Sequence, residues 1–176
     1  MLWNSEQWKT QFEFLSTQRN VKQKEEVMFL LRKMRADVFK HTVILVQQGH
    51  YYNEEQQKIS FPDANMMIAG TKFYESPQTV HHIPTIDNET IVKVENIDCL
   101  LAAEGLLTEG YHPAVLNMAS RRNPGGGVVT GAGAQEENLF RRSNLFQSLY
   151  QFASFAGEYG LRKSNYQYPL DRNFGG

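Results

Sequence analysis

The chain has 176 residues, 41% apolar and 21% charged, with a net charge of −1. That is length for one globular domain with a single core, and no charge excess to wrap a nucleic acid or hold a membrane surface. A single cysteine, Cys99, excludes an internal disulfide and a cysteine-based zinc site within one chain.

In chain order, Trp8, Phe12 and Leu15 recur at near-helical spacing, and Ser5 stands where an N-cap is needed. Val27, Leu30, Leu31, Met34 and Val38 carry the same period through a second, charged helix. Thr42–Val46 is β-branched and apolar, which predicts a strand, and Gln56–Phe61 reads as a shorter extended piece. Residues 62–89 hold three of the six prolines and no clear period, so they read as loop with one strand near Lys72–Glu75. Thr90–Val94 alternates and predicts a strand. Ile97–Leu107 is Leu/Ala-rich and helical in pattern, ending at Gly110. Pro113–Met118 suits a buried central strand. A glycine-rich loop follows directly. Beyond it Leu139, Leu145, Phe146, Leu149, Tyr150 and Ala153 make one apolar helix face, stopped near Gly157 and Gly160. Strand, helix, strand, glycine loop, helix is a βαβ-type order, which predicts an α/β fold. The loop then falls at the carboxyl end of a central strand, where open α/β sheets bind ligands. The first residues lack the basic start and apolar run of a signal peptide, and no stretch reaches the roughly 20 apolar residues of a membrane helix. A reducing, cytoplasmic compartment is the expectation.

The glycine loop carries the chemistry. Residues 124–137 read Pro-Gly-Gly-Gly-Val-Val-Thr-Gly-Ala-Gly-Ala-Gln-Glu-Glu. Gly125, Gly126 and Gly127 offer backbone N–H groups without a Cβ to hold a ligand away, which suits a phosphate or diphosphate. No Gly-Lys-Ser/Thr follows, so this is not a P-loop, and the glycines sit in a row rather than at the offsets of a dinucleotide fingerprint. Alone, the run is equally a flexible turn. Gln135, Glu136 and Glu137 then open a helix, where carboxylates also complement the helix dipole. A carboxyl group near a diphosphate cradle suits general acid–base work on a sugar bond. A helix N-terminus favours the ionised carboxylate, whereas burial and a bound diphosphate favour the protonated one. The acid is therefore expected to form mainly when substrate binds. Successive helical side chains diverge by about 100°, so Glu136 and Glu137 are not the opposed pair of an ordinary glycosidase. One is expected to do chemistry and the other to hold a sugar hydroxyl.

The stretch Val115-Leu116-Asn117-Met118-Ala119-Ser120-Arg121-Arg122-Asn123-Pro124-Gly125-Gly126-Gly127, followed by Gln135-Glu136-Glu137, closely resembles the bacterial-type poly(ADP-ribose) glycohydrolases. The resemblance implies a three-layer α/β/α macrodomain with a mixed sheet, made of a helical extension over residues 1–40 and a macrodomain core over residues 41–176. It implies hydrolysis of ribose–ribose bonds in poly(ADP-ribose), without cofactor or metal. By position, Glu137 matches the acid–base residue and Glu136 the one that holds ribose hydroxyls, while Gln135 supports the loop. Gly125, Gly126 and Gly127 match the diphosphate loop. Asn123 matches a ribose-contacting Asn, with Asn117 the weaker competitor. Asp98 matches an adenine-contacting Asp, and is equally an N-cap for the helix after it. ADP-ribose, its polymer and ADP-ribosylated proteins are the implied partners. The family's sequence continues past the equivalent of Gly176, so the expected sheet is incomplete on that side. An unfinished edge invites a complementary chain or self-association, and a non-catalytic ADP-ribose reader is the alternative function.

Elsewhere the signals are weaker. His41, His50, His81, His82 and His112 show no i, i+4 metal pair. Arg121-Arg122 and Arg141-Arg142 flank the motif, either to attract substrate phosphates or as solvated charge. Cys99 reads as a helix-start residue rather than a nucleophile.

Overall fold

The computed structural model describes residues 4–18, 24–74, 79 and 90–165. In chain order its elements are α1 (Ser5–Thr17), α2 (Lys24–Gln48), β1 (His50–Tyr52), β2 (Lys58–Ser60), α3 (Asn65–Gly70), α4 (Cys99–Thr108), α5 (Gln135–Arg142) and α6 (Leu145–Leu149). Short 3₁₀ turns cover Val128–Thr130, Tyr150–Phe152 and Ala156–Tyr159. The chain divides into two compact units, Met1–Phe73 with Met118–Gly176, and Tyr74–Asn117. Among the described residues no helix is long and apolar enough to cross a membrane.

In the first unit, α1 begins one residue earlier than expected. Asn4, not Ser5, is the N-cap, its Oδ1 accepting from the Gln7 N–H at 2.9 Å. The Trp8 indole N–H donates to the Met34 carbonyl at 3.0 Å and ties α1 to α2.

Helix α2 runs on through Thr42–Val46, so the strand expected there is a helix. The β-branched run continues the same apolar face: Leu31, Phe39 and Val46 are buried and Val43 packs beside them. Thr42 Oγ1 donates to the Arg141 carbonyl at 2.7 Å and also lies 3.0 Å from the Val38 carbonyl. Packing decides the conformation here, because β-propensity is mostly a measure of what a side chain packs against.

Phe39, 2% exposed, is the centre of the core. Rings of Phe140, Phe146, Tyr150 and Tyr159 surround it with centroids 6.1–6.5 Å away, the spacing at which tilted and edge-on aromatic pairs attract. Val128 of the glycine loop is fully buried in the same cluster. The single long helix expected over 139–153 is split. Ser143 is extended (φ −150°, ψ 174°), and its Oγ donates to the Leu139 carbonyl while accepting from the Leu145 N–H. The break turns α6 back so that Phe146 and Tyr150 reach Phe39. Gly160 (φ +70°) closes the last turn, as read from the sequence.

The only sheet among the described residues is the antiparallel pair β1–β2, with Tyr51 opposite Ile59. The extended piece expected over Gln56–Phe61 contains β2; β1 had no clear signal. Residues 72–74 have no regular structure, and Glu75 lies outside the described residues.

In the second unit, α4 matches the helix expected over Ile97–Leu107. Asp98 is its N-cap, Oδ1 accepting from Leu100 and Leu101 N–H at 3.0 and 3.4 Å. Gly110 (φ +88°) ends it. The strands expected at Thr90–Val94 and Pro113–Met118 are not formed. Ile91 and Val94 are 87% and 94% exposed and Leu116 78%. An alternating segment becomes a strand only when a neighbour takes its N–H and C=O groups, and among the described residues no strand pairs with either.

Candidate active site

The site is built on the turn that joins Ser120 to α5. Gly126 N–H donates to the Asn123 carbonyl at 2.9 Å, and Val128, Thr130 and Gly131 N–H close successive tight turns onto Gly125, Gly127 and Val128. Gly126 (φ +55°) and Gly131 (φ +77°) need the left-handed region, which costs a residue with a Cβ roughly 1–2 kcal/mol. Both also face a close neighbour. A Cβ on Gly131 would run into the backbone carbonyl of Arg32 in α2, and one on Gly126 would meet Glu137 Oε1 and lie 3.0 Å from Glu136 Oε2.

The two glutamates are buried, Glu136 at 3% and Glu137 at 6% exposure. Each carboxylate receives two backbone N–H groups. Glu136 Oε1 accepts from Gly125 at 2.8 Å and Oε2 from Ser120 at 2.7 Å. Glu137 Oε1 accepts from Gly127 at 2.9 Å and Oε2 from Ala134 at 3.0 Å. The Ala134 contact is the carboxylate half of a capping box, since Glu137 occupies the third helical position and Ala134 the cap. Gln135 Oε1 accepts from Met118 N–H at 2.8 Å and ties the incoming arm of the turn to the start of α5. Four main-chain donors thus hold two acids against one glycine turn. Such charge-assisted bonds are the strong kind, and they explain how two adjacent carboxylates are tolerated in a buried place.

This geometry changes what the glycine amides do. The sequence reads as a row of open amides awaiting an anion. In the structure Gly125 and Gly127 give theirs to the protein's own carboxylates, and Gly126 gives its to Asn123.

Arg141 stands one turn along α5 from Glu137. It is buried, donating from Nη1 to the Ala132 carbonyl and from Nη2 to Asn138 Oδ1, each at 2.7 Å. Burial and then the neighbouring Arg35 charge lower its proton affinity, while the Glu137 charge supports it. The i, i+4 spacing of Glu137 and Arg141 was the available signal for this partner. Behind α5, the Tyr150 and Tyr159 rings pack edge to face with centroids 4.6 Å apart. Burial first, then Tyr159 and the charge of Glu136, push Tyr150 far above its ordinary value.

The other expected site residues take different roles. Asn123 is exposed and contributes its carbonyl to the turn, its own N–H lying 3.3 Å from Ser120 Oγ. Asp98 belongs to the second unit, where it caps α4. Arg121, Arg122 and Arg142 are exposed, and His81 and His82 lie outside the described residues. Ser120 and Ala134 carry no signal of their own in the sequence, because they act through their backbone. Among the described residues no group of three or more His, Cys, Asp or Glu is placed to hold a metal ion.

A family model described as microbial-type PARG, catalytic domain, matches residues 40–172, more than half of the chain. Neither a curated protein nor a solved structure gives a significant match.

Proposed function

We propose that this chain, which belongs to the microbial-type PARG catalytic-domain family, hydrolyses the ribose–ribose O-glycosidic bonds of poly(ADP-ribose) and releases ADP-ribose. The observation that carries the reading is the convergence of Glu136 and Glu137 on the triple-glycine turn through four backbone N–H groups. A structural helix start needs one such carboxylate, not two folded back over a loop.

In this scheme Glu137 is the general acid–base residue. Its protonated carboxyl gives a proton to the leaving ribose oxygen as the C1″–O bond breaks, leaving an oxocarbenium-like centre. The resulting carboxylate then takes a proton from water as the water oxygen bonds to that carbon. Glu136 holds ribose hydroxyls, Asn123 contacts the same sugar, and Gln135 keeps the turn in place. Gly125, Gly126 and Gly127 line the diphosphate. An arriving diphosphate competes with Glu136 and Glu137 for the Gly125 and Gly127 amides. Asp98 is assigned to adenine by resemblance alone. For the whole domain the three-layer α/β/α macrodomain is the proposed fold, and the exposed apolar runs at Ile91–Val94 and around Leu116 supply what its mixed sheet would bury.

Incubation with labelled polymer tests the reading. Free ADP-ribose is the expected product, and Glu137→Gln is expected to lower kcat by about 10²–10⁴ while the variant still melts cooperatively. Wild-type turnover in Glu137→Gln would remove Glu137 from the chemistry. Saturable ADP-ribose binding without release would make the protein a reader.

A further inference from the structure

A cleft of about 430 Å³ lies in the first unit, and neither glutamate is among its lining residues. Its floor is α1, which gives Trp8 and Phe12. Arg35 comes from α2, and Gly133, Arg141 and Arg142 from the turn into α5 and the end of that helix. No carboxylate lines it.

Two features equip it for a particular ligand. Trp8 and Phe12 are stacked face to face, with ring centroids 4.7 Å apart and planes 13° from parallel, so the wall they leave to a ligand is a single ring face, the outer face of Trp8, with Arg35 over Phe12. The bond from the Trp8 indole to the Met34 carbonyl fixes that wall. Above it, the Arg35 guanidinium carbon lies 5.2 Å from the Phe12 centroid, and Arg35 and Arg141 are close enough to oppose each other's charge. Guanidinium groups gathered beside an aromatic platform, without an acid among the lining residues, suit a phosphate joined to a planar base. The volume lies in the range of small-ligand sites.

The core does not account for this arrangement. Helix α1 buries none of its residues completely. Trp8, Phe12 and Arg35 also precede residue 40, where the family match begins. Gly133 joins the cleft to the catalytic turn. A Cβ there would lie 3.1 Å from the Arg35 guanidinium carbon, and the next residue, Ala134, donates its N–H to Glu137.

We propose that this cleft is a second nucleotide site, taking an adenosine diphosphate unit of the same polymer that neighbours the unit cleaved at Glu137. The identity of the base rests on the poly(ADP-ribose) reading above; the aromatic and phosphate chemistry does not. The wall takes the base, Arg35 and Arg142 take phosphate oxygens, and the helical extension becomes a grip on long chains.

Trp8 reports occupancy directly. In a Trp3→Phe background it is the sole tryptophan, and titration with ADP is expected to quench its emission saturably. Arg35→Glu, and separately the exposed Arg142→Glu, should weaken that binding at least about tenfold, whereas Glu137→Gln leaves it unchanged. In kinetics, both arginine variants should raise KM for long polymer about tenfold at unchanged kcat, with an ADP-ribose dimer cleaved as by wild type. Quenching in a protein that releases no ADP-ribose would keep the cleft and discard the hydrolase. Hydrolysis without saturable quenching, or quenching lost in Glu137→Gln and kept in both arginine variants, overturns the cleft.

Discussion

Gly126 shows how much a single position can hold. Its left-handed backbone and the two carboxylate oxygens beside it leave no room for a methyl group. Gly126→Ala is expected to cost roughly 1–2 kcal/mol from backbone strain alone, and to push Glu137 off the Gly127 amide. The expected outcome is a fall in Tm of several degrees, at about 2–4 °C per kcal/mol for a chain of this size, and a loss in kcat/KM of at least tenfold. An unchanged kcat/KM would mean that the contact between turn and acid is dispensable. At this scale the sequence was legible where residue type carries the signal. Three glycines in a row and a Gln-Glu-Glu eight residues on announce an anion-binding turn beside acids. The destination of each amide was not legible, because a backbone N–H is the same at Ser120, Gly125 and Ala134. Only the fold chooses its acceptor.

Among the elements, α2 and α5 depend on each other. Thr42 Oγ1 caps the Arg141 carbonyl near the end of α5, one of the last-turn acceptors that the helix itself leaves unpaired. Thr42→Val keeps the shape and removes that donor. It is expected to lower stability by about 1 kcal/mol or somewhat more, seen as a lower urea midpoint at unchanged m. No shift in the midpoint would show that another group satisfies the Arg141 carbonyl. Helices whose signals are local were read well: α4 has its Asp98 cap, its apolar run and its terminating Gly110 in one stretch of chain. Thr42–Val46 was misread because its β-branched residues are helical only by virtue of Phe140 and Phe146, about a hundred positions away. The break at Ser143 was missed for a related reason. The apolar period runs across it, and only the need to bring both Phe146 and Tyr150 onto Phe39 reveals the turn.

For the whole molecule, the aromatic core sets the response to pH. Tyr150 and Tyr159 are both raised above their ordinary value of 10, first by burial. A group raised in the folded state contributes fully below its unfolded value and loses that contribution as pH climbs through the folded one. Stability is therefore expected to hold up to about pH 10 and to fall above it, with Tyr150→Phe flattening the alkaline limb. Urea titrations from pH 8 to 11 measure this, and an equally steep limb in the variant would place the titrating group elsewhere. The family was legible at this scale, while the sheet was not. Thr90–Val94 and Pro113–Met118 have the alternation of strands, yet alternation names no partner.

The bond from Thr42 to the Arg141 carbonyl spans 99 positions, and that span has a consequence during synthesis. On the ribosome, α2 emerges with Phe39 and Val46 uncovered roughly 5–20 s before the segment that will cover them. The nascent chain must shelter an aromatic stripe for that interval. Both arms of the glycine turn, and the carboxylates they hold, are then assembled together once that later segment has emerged.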